Sequence, residues 1–159
     1  MTRAGLGYSA AMPSWHLAQL NTARLRHPID SAEMADFVSA LDSVNAAADD
    51  APGFVWRLAD ASGNATSLRP FGEDRIVNLS VWRDVESLRR YVYATDHRSV
   101  LRRRREWFDP TESVVVLWWV EAGHRPSIEE AAQRSEVLLR HGPTSEAFTF
   151  RSVHRPPGS

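Results

Sequence analysis

The stretch IVNLSVW, residues 76–82, decides the fold of this chain. Read as a strand, it alternates an apolar face with a face that carries an amide, a hydroxyl and an indole. The apolar face is made by Val77, Leu79 and Val81, and the other by Asn78, Ser80 and Trp82. Burying an amide or hydroxyl without a hydrogen-bond partner costs about 1–3 kcal/mol. We therefore expect this face to hold a hydrogen-bonded network or to line a wet pocket.

Outward from this strand, the hydrophobic pattern predicts the order β-α-β-β-α-β, followed by an added C-terminal helix and an arm. The predicted strands are residues 15–22, 54–58, 76–82 and 113–120, and three predicted helices are residues 30–48, 96–107 and 128–140. A further helix is predicted to start at residues 84–86, with Val85, Leu88 and Val92 on its inner stripe. Asp30 with Glu33, and Ser127 with Glu130, have the spacing of N-terminal capping boxes. This order is that of the ferredoxin-like split βαβ fold, an α+β class.

The run SVVVLWWV, residues 113–120, is apolar on both sides of its strand. Helices cover one face of a ferredoxin-like sheet, so the second face needs another cover. We expect a homodimer in which two sheets pack face to face, as in a dimeric α/β barrel. Residues 1–14 are expected to be a flexible extension, 15–151 the domain, and 152–159 a flexible tail after an extended arm.

Polar residues of the first and third strands are expected to lie side by side, because these strands are central neighbours in the ferredoxin-like order. The candidate binding residues are Gln19, Asn21, Asn45, Ser80 and Trp82, together with Asn78. The functional interpretation is a pocket that orients a carbonyl or a phenol. The structural alternative is a buried amide ladder completed by helix residues such as Asn45.

Six stretches carry a resemblance to a known family. They are HLAQLN (16–21), APGFVWRL (51–58), VNLSVW (77–82), RRREWF (103–108), LWWVEAGHRP (117–126) and HGPTSEAFTF (141–150). Over residues 15–151 the chain resembles the bacterial domain-of-unknown-function family 3291, which is similar to the dimeric α/β-barrel superfamily. That superfamily includes cofactor-free antibiotic-biosynthesis monooxygenases, muconolactone isomerases and haem-binding enzymes. The resemblance implies the fold and lends no reaction, because a fold hosts many functions.

His97 and Arg104 are candidate catalytic residues on the helix of residues 96–107. A histidine can act as a general base near neutral pH, whereas His97 beside Asp96 at a helix start can equally be a cap. In the monooxygenase branch of the resembled superfamily a histidine commonly occurs at a similar place, which implies proton transfer by His97. Arg104 is expected to pin a carboxylate or phenolate. Haem-degrading members carry their axial histidine slightly further on, where residues 100–103 hold none.

Aromatic and cationic side chains on other strands complete the predicted binding set. Trp56 and Trp118 are expected to line an aromatic cavity, and Arg57 to supply charge. Trp118 and Trp119 point to opposite faces of one strand, so only one can face a given cavity. The four arginines 102–105 have acidic neighbours, which favours a solvated, ion-paired face over a nucleic-acid surface.

The composition excludes several classes of function. The 159 residues carry a net charge of −1, so no overall field favours nucleic acid or an anionic membrane. There is no cysteine, and all 19 basic residues are arginine, which excludes disulfides, thiolate metal sites and Schiff-base chemistry. The six histidines lack metal-ligand spacing, and we expect neither a metal nor a cofactor. No stretch is long and apolar enough to span a membrane, and we expect a cytoplasmic protein.

Together these patterns predict a small-molecule tailoring enzyme of secondary metabolism: a cofactor-independent oxygenase, cyclase or isomerase with a hydrophobic substrate. Asn78, His97 and Arg104 are its expected catalytic residues. A non-catalytic small-molecule binding protein is the alternative, and a haem-binding protein is less favoured. A third possibility is an interaction module whose sheet face is consumed by the dimer. The substrate and the role of the loop of residues 59–75 are left open.

Overall fold

The computed structural model describes residues 14–60 and 62–159, and for residues 95–97 it describes the backbone alone. Four antiparallel strands form one sheet: β1 (Trp15–Leu25), β2 (Phe54–Arg57), β3 (Arg75–Trp82) and β4 (Phe108–Glu121). The α-helices are α1 (Ala35–Asp49), α2 (Val85–Val92), α3 (Thr95–Trp107) and α4 (Ile128–His141). The strand order β2-β3-β1-β4 puts β1 and β3 at the centre. The predicted ferredoxin-like α+β fold is confirmed.

Side chains that alternate along the strands give the sheet two faces, which we name after the helices that cover them. The three-helix face packs on α1, α2 and α3, and includes Leu17, Gln19, Trp82 and Leu117. The α4 face packs on α4 and on Leu58, Ala65, Leu68 and Phe71 from the segment after β2, and includes Ala18, Leu20, Val77, Leu79, Val81, Val116 and Trp118. Val77, Leu79 and Val81 therefore share one face of β3 and Trp82 lies on the other, as the alternation in residues 76–82 predicted.

Two hydrophobic clusters form the core of the three-helix face. In one cluster, Leu17 and Trp82 of the sheet pack with Leu88 of α2. In the other, Phe37 of α1 packs with Trp107 of α3, whose ring centroids are 5.4 Å apart. The polar residues of β1 and β3 lie on the sheet between these clusters, because they occupy the intervening ladder positions.

One predicted helix start and one predicted strand start differ from the structure. The cap predicted at Asp30 is wrong: a 3₁₀ turn over Ala32–Met34 follows Ser31, no side chain caps it, and α1 begins afterwards. The cap predicted at Ser127 is confirmed, because its Oγ accepts a hydrogen bond from the Glu130 N–H at 3.1 Å. Helix α3 ends at Trp107 as predicted, but β4 begins directly at Phe108 rather than at residue 113, so that it includes Pro110. This proline lies within the edge strand β4, where a missing N–H is tolerated.

The chain itself covers part of the α4 face. Ala131 of α4 is fully buried there, and Leu68 and Phe71 pack against the same cluster. Helix α4 and these two loop residues thus supply some of the cover that the sequence assigned to a second copy. The homodimer stays a prediction, as do the predicted domain boundaries, and residues 1–13 lie outside the described part of the chain.

The predicted arm is docked along the β4 edge of the sheet. Phe148 and Leu117 exchange two backbone hydrogen bonds of 2.8 and 2.9 Å, and the Phe148 ring is fully buried on the three-helix face. Further along, Arg89 donates to the Phe150 carbonyl at 3.1 Å, and Trp119 Nε1 donates to the His154 carbonyl at 2.8 Å.

Candidate functional site

Five polar or aromatic side chains of the three-helix face form a continuous patch, which we call the amide row. They are Gln19, Asn21, Asn78, Ser80 and Trp82. In the β1–β3 register Gln19 is paired with Ser80, and Asn21 with Asn78. The predicted neighbourhood of these residues is confirmed.

The hydrogen bonds of the amide row converge on Ser80. Its Oγ accepts from Gln19 Nε2 and from Trp82 Nε1, each at 2.9 Å. Gln19 Nε2 also donates to the Asn78 side-chain oxygen. Because Ser80 Oγ already accepts twice, its own proton points elsewhere, and no described residue accepts it. The Ser80 hydroxyl is therefore an available donor held in a fixed position.

The amide row runs from the core to the surface. Gln19 and Ser80 are only 7% and 5% exposed, whereas Asn21 and Asn78 are exposed although helices cover their side of the sheet. Across from them, α1 carries half-buried Asn45. The row therefore extends from a buried end to a solvent-exposed end, and we call the region between this row and α1 the cleft.

Asn45 is placed on the inner side of α1 by its neighbours along the helix. Leu41, one turn before it, packs into the cluster of Phe37 and Trp107, and Ala48, one turn after it, is buried in the cluster of Trp82. Residues three or four positions apart share a helix face. Asn45 thus lies between the two hydrophobic clusters along α1. The amide row lies between the same two clusters along the sheet.

Arg57 lies beside the buried end of the row and offers no free charge. It is paired with Ser80 across β2 and β3, and its side chain is 18% exposed. It donates to both carboxylate oxygens of Asp49 at 2.7 and 3.2 Å, and to the Gly63 carbonyl at 2.7 Å. The guanidinium is therefore neutralised and ties α1 to the loop that follows β2.

Tyr91 of α2 holds the indole of Trp82 in place. Their rings are stacked, with centroids 5.1 Å apart, and the Tyr91 hydroxyl donates to the Val44 carbonyl of α1 at 3.0 Å. Burial raises the pKa of Tyr91 to about 12, so this phenol is protonated and neutral near pH 7. Sequence reasoning missed Tyr91, although its position three residues after Leu88 puts it on the inner stripe of α2.

Several predicted site residues are not part of this cleft. Trp56 and Trp118 belong to the core of the α4 face, where Trp118 is fully buried, which corrects their grouping with the amides. Arg104 is exposed, because its long side chain reaches solvent from α3. His97 lies outside the residues whose side chains the structure describes, and its role stays a prediction.

The long loop after β2 packs on the α4 face. Ala65, Leu68 and Phe71 contact its cluster on the side of the sheet opposite the amide row, whereas Gly63 accepts a hydrogen bond from Arg57. On α3, Arg103 pairs with Asp36 at 2.9 Å and with Glu106 at 2.8 Å, which fits the predicted ion-paired face.

Two observations bear on metals and membranes. Among the described side chains, no three His, Asp or Glu residues lie close enough to hold a metal ion. None of the helices in residues 14–60 and 62–159 combines the length and the apolar character needed to cross a membrane.

The sequence profile of a family described as "Domain of unknown function (DUF3291)" matches residues 16–159. The match spans most of the chain, and the chain belongs to this family. A comparison with curated proteins gives no match.

Solved structures with a similar fold include three of interest. SnoaB, a cofactor-independent oxygenase from Streptomyces nogalater, is 19% identical, with a TM-score of 0.45 over 71% of this chain and 96% of that one. A protein of unknown function from Nitrosomonas europaea is 12% identical, with a TM-score of 0.50 over 73% and 99%. An antibiotic biosynthesis monooxygenase is 12% identical, with a TM-score of 0.45 over 69% and 99%. At such identities the likeness concerns the fold, and the Nitrosomonas structure supports the ferredoxin-like assignment.

Proposed function

We propose that this chain binds a small hydrophobic molecule through a carbonyl or phenol oxygen at the amide row. We further propose that it converts this molecule as a cofactor-independent tailoring enzyme of secondary metabolism, an oxygenase, cyclase or isomerase. The observation that carries the proposal is the Ser80 hydroxyl, which accepts two N–H donors and keeps its own proton free in a buried position. Such a preorganised donor stabilises negative charge that develops on an enolate or phenolate.

The residues around Ser80 have separate roles in this proposal. Asn78, whose side-chain oxygen accepts from Gln19, offers its amide N–H to the same ligand oxygen. Asn21 and Asn45 orient polar groups nearer the opening, and the hydrophobic clusters on either side receive the apolar body. His97 is the proposed proton acceptor. Arg57 borders the buried end of the row, and Asp49 neutralises its charge.

A non-catalytic binding protein is the second candidate, and one observation favours it. Among the described side chains, no carboxylate or imidazole is hydrogen-bonded to the amide row, and the nearby phenol of Tyr91 is protonated near pH 7. General-base catalysis needs a group that can take the proton within hydrogen-bond reach. If His97 does not supply it, the cleft binds a ligand without transforming it.

The test is exchange of the α-protons of 2-tetralone, a bicyclic ketone, in deuterated buffer followed by NMR. The wild-type protein is expected to accelerate exchange, because enolate formation is the step that the donors favour. Asn78→Ala should slow the catalysed exchange about a hundredfold by removing one oxyanion donor. His97→Ala should slow it to a similar extent by removing the base.

The matched control is Gln133→Ala, which removes an exposed amide from α4 and should leave exchange unchanged. Binding of 2-tetralone without accelerated exchange supports the binding protein. If neither Asn78→Ala nor His97→Ala alters affinity or exchange while both variants fold, the site assignment is wrong.

A further inference from the structure

A shallow cavity of ≈ 300 Å³, open to solvent, lies on the α4 face, and no residue of the amide row lines it. Its walls include Thr22, Phe71, Arg75, Glu112, Val114 and Ser135. We propose that it binds a small uncharged molecule that carries a hydroxyl or carbonyl group on an aromatic or aliphatic body. Its volume is at the lower end of the range for small-molecule sites.

Thr22 is the polar anchor of this cavity. It is 5% exposed and is paired with Val114 across β1 and β4. Its hydroxyl forms no hydrogen bond with any residue that the structure describes. Among the described residues, the side-chain atoms that are inaccessible to solvent and lack a hydrogen-bond partner are His16 Nδ1, Ser31 Oγ and Trp118 Nε1. The Thr22 hydroxyl is not one of these inaccessible atoms. It therefore opens onto the cavity, where it can donate to a ligand and accept from it.

The two charged residues that line the cavity, Arg75 and Glu112, form an ion pair with each other. Arg75 donates to the Glu112 carbonyl at 2.8 Å and also pairs with the Glu112 carboxylate. The other residues of the lining are uncharged. An ion in the cavity would therefore find no unpaired counter-charge among the lining residues, which favours a neutral ligand.

The other lining residues indicate which groups the ligand carries besides the one bound by Thr22. Phe71 and Val114 provide apolar contact for a ring or an alkyl chain, and Ser135 of α4 adds a second hydroxyl. The sheet separates this cavity from the amide row, because Thr22 and Asn21 point to opposite faces of β1. The inference is therefore independent of the proposed function.

The test is a ¹H–¹⁵N NMR titration of the full chain with three probes at low millimolar concentration. Phenol has the hydroxyl, toluene has the same size without it, and benzoate carries a charge. Phenol is expected to shift the amides of Thr22, Val114 and Ser135, and to bind more tightly than toluene or benzoate. Thr22→Val should weaken phenol binding about fivefold, the effect of one net hydrogen bond, and leave toluene unchanged. Thr22→Ser, which keeps the hydroxyl, should bind phenol like the wild type.

Asn78→Ala is the control on the other face and should leave the shifts at Thr22 unaltered. Should Thr22→Val fail to fold, Ser135→Ala tests the second hydroxyl and should also weaken phenol relative to toluene. Shifts confined to the amide row, or equal phenol affinity in wild type and Thr22→Val, overturn the site. Benzoate binding as tightly as phenol overturns the neutral ligand class.

Discussion

The Ser80 hydroxyl contributes to the stability of the folded protein as well as to the proposed site. Its hydroxyl accepts from Gln19 and Trp82, and all three side chains are buried. Replacing it by alanine leaves two buried N–H groups without an acceptor. We expect Ser80→Ala to lower the free energy of unfolding by about 1–3 kcal/mol, measured by urea denaturation.

The matched variant is Ser113→Ala, because Ser113 is exposed on β4. Its effect should stay within about 0.5 kcal/mol, as is usual for surface positions. Equal unfolding midpoints for the two variants would mean that water replaces Ser80 at no cost, and that the row is wetter than its burial indicates.

At the scale of the element, α2 depends on the carboxylate that begins it. Asp84 is the N-cap and accepts from the Ser87 N–H at 2.8 Å and from the Ser87 hydroxyl at 2.7 Å. These hydrogen bonds hold the pKa of Asp84 below its usual value of 3.8. Since the folded-state pKa is depressed, the stabilisation is present above the usual pKa and is lost as the pH falls through the folded-state value.

We expect Asp84→Ala to destabilise the protein by about 1 kcal/mol at pH 7, the typical contribution of an N-cap. The difference from the wild type should narrow as the pH falls below about 4, because the wild-type carboxylate is then protonated. Thermal unfolding of the wild type and of Asp84→Ala between pH 7 and pH 3 measures this difference in stability. A difference that stays constant over this range contradicts the pKa argument.

Elements with a clear period were predictable from sequence, and elements set by distant pairing were not. The alternation in residues 76–82 gave the correct faces of β3. The end of α3 at Trp107 was predicted correctly, but the start of β4 was placed at residue 113 because Asp109 and Pro110 are typical of a turn after a helix, whereas pairing of Phe108 with Leu25 starts the strand earlier. Parity separated Trp118 from Trp119 but could not say which one faces α1–α3, since both sides of that strand are apolar.

At the scale of the whole molecule, the α4 face still carries apolar surface. Trp56 and Leu58, which do not line the cavity at Thr22, remain half-buried there. We expect native mass spectrometry to find two copies per particle, and absorption spectroscopy to show no visible band. A monomer would contradict the homodimer, and a Soret band would contradict the expected absence of a cofactor.

The amide row also has a consequence for the folding kinetics. Gln19 and Ser80 are 61 residues apart in the sequence, and their hydrogen bond requires the β1–β3 ladder. Such non-local pairing is slow compared with helix formation, so a partly folded chain lacks the cleft. A ligand that bridges the two strands would therefore act mainly on unfolding, lengthening the lifetime of the native state with little effect on the rate of reaching it.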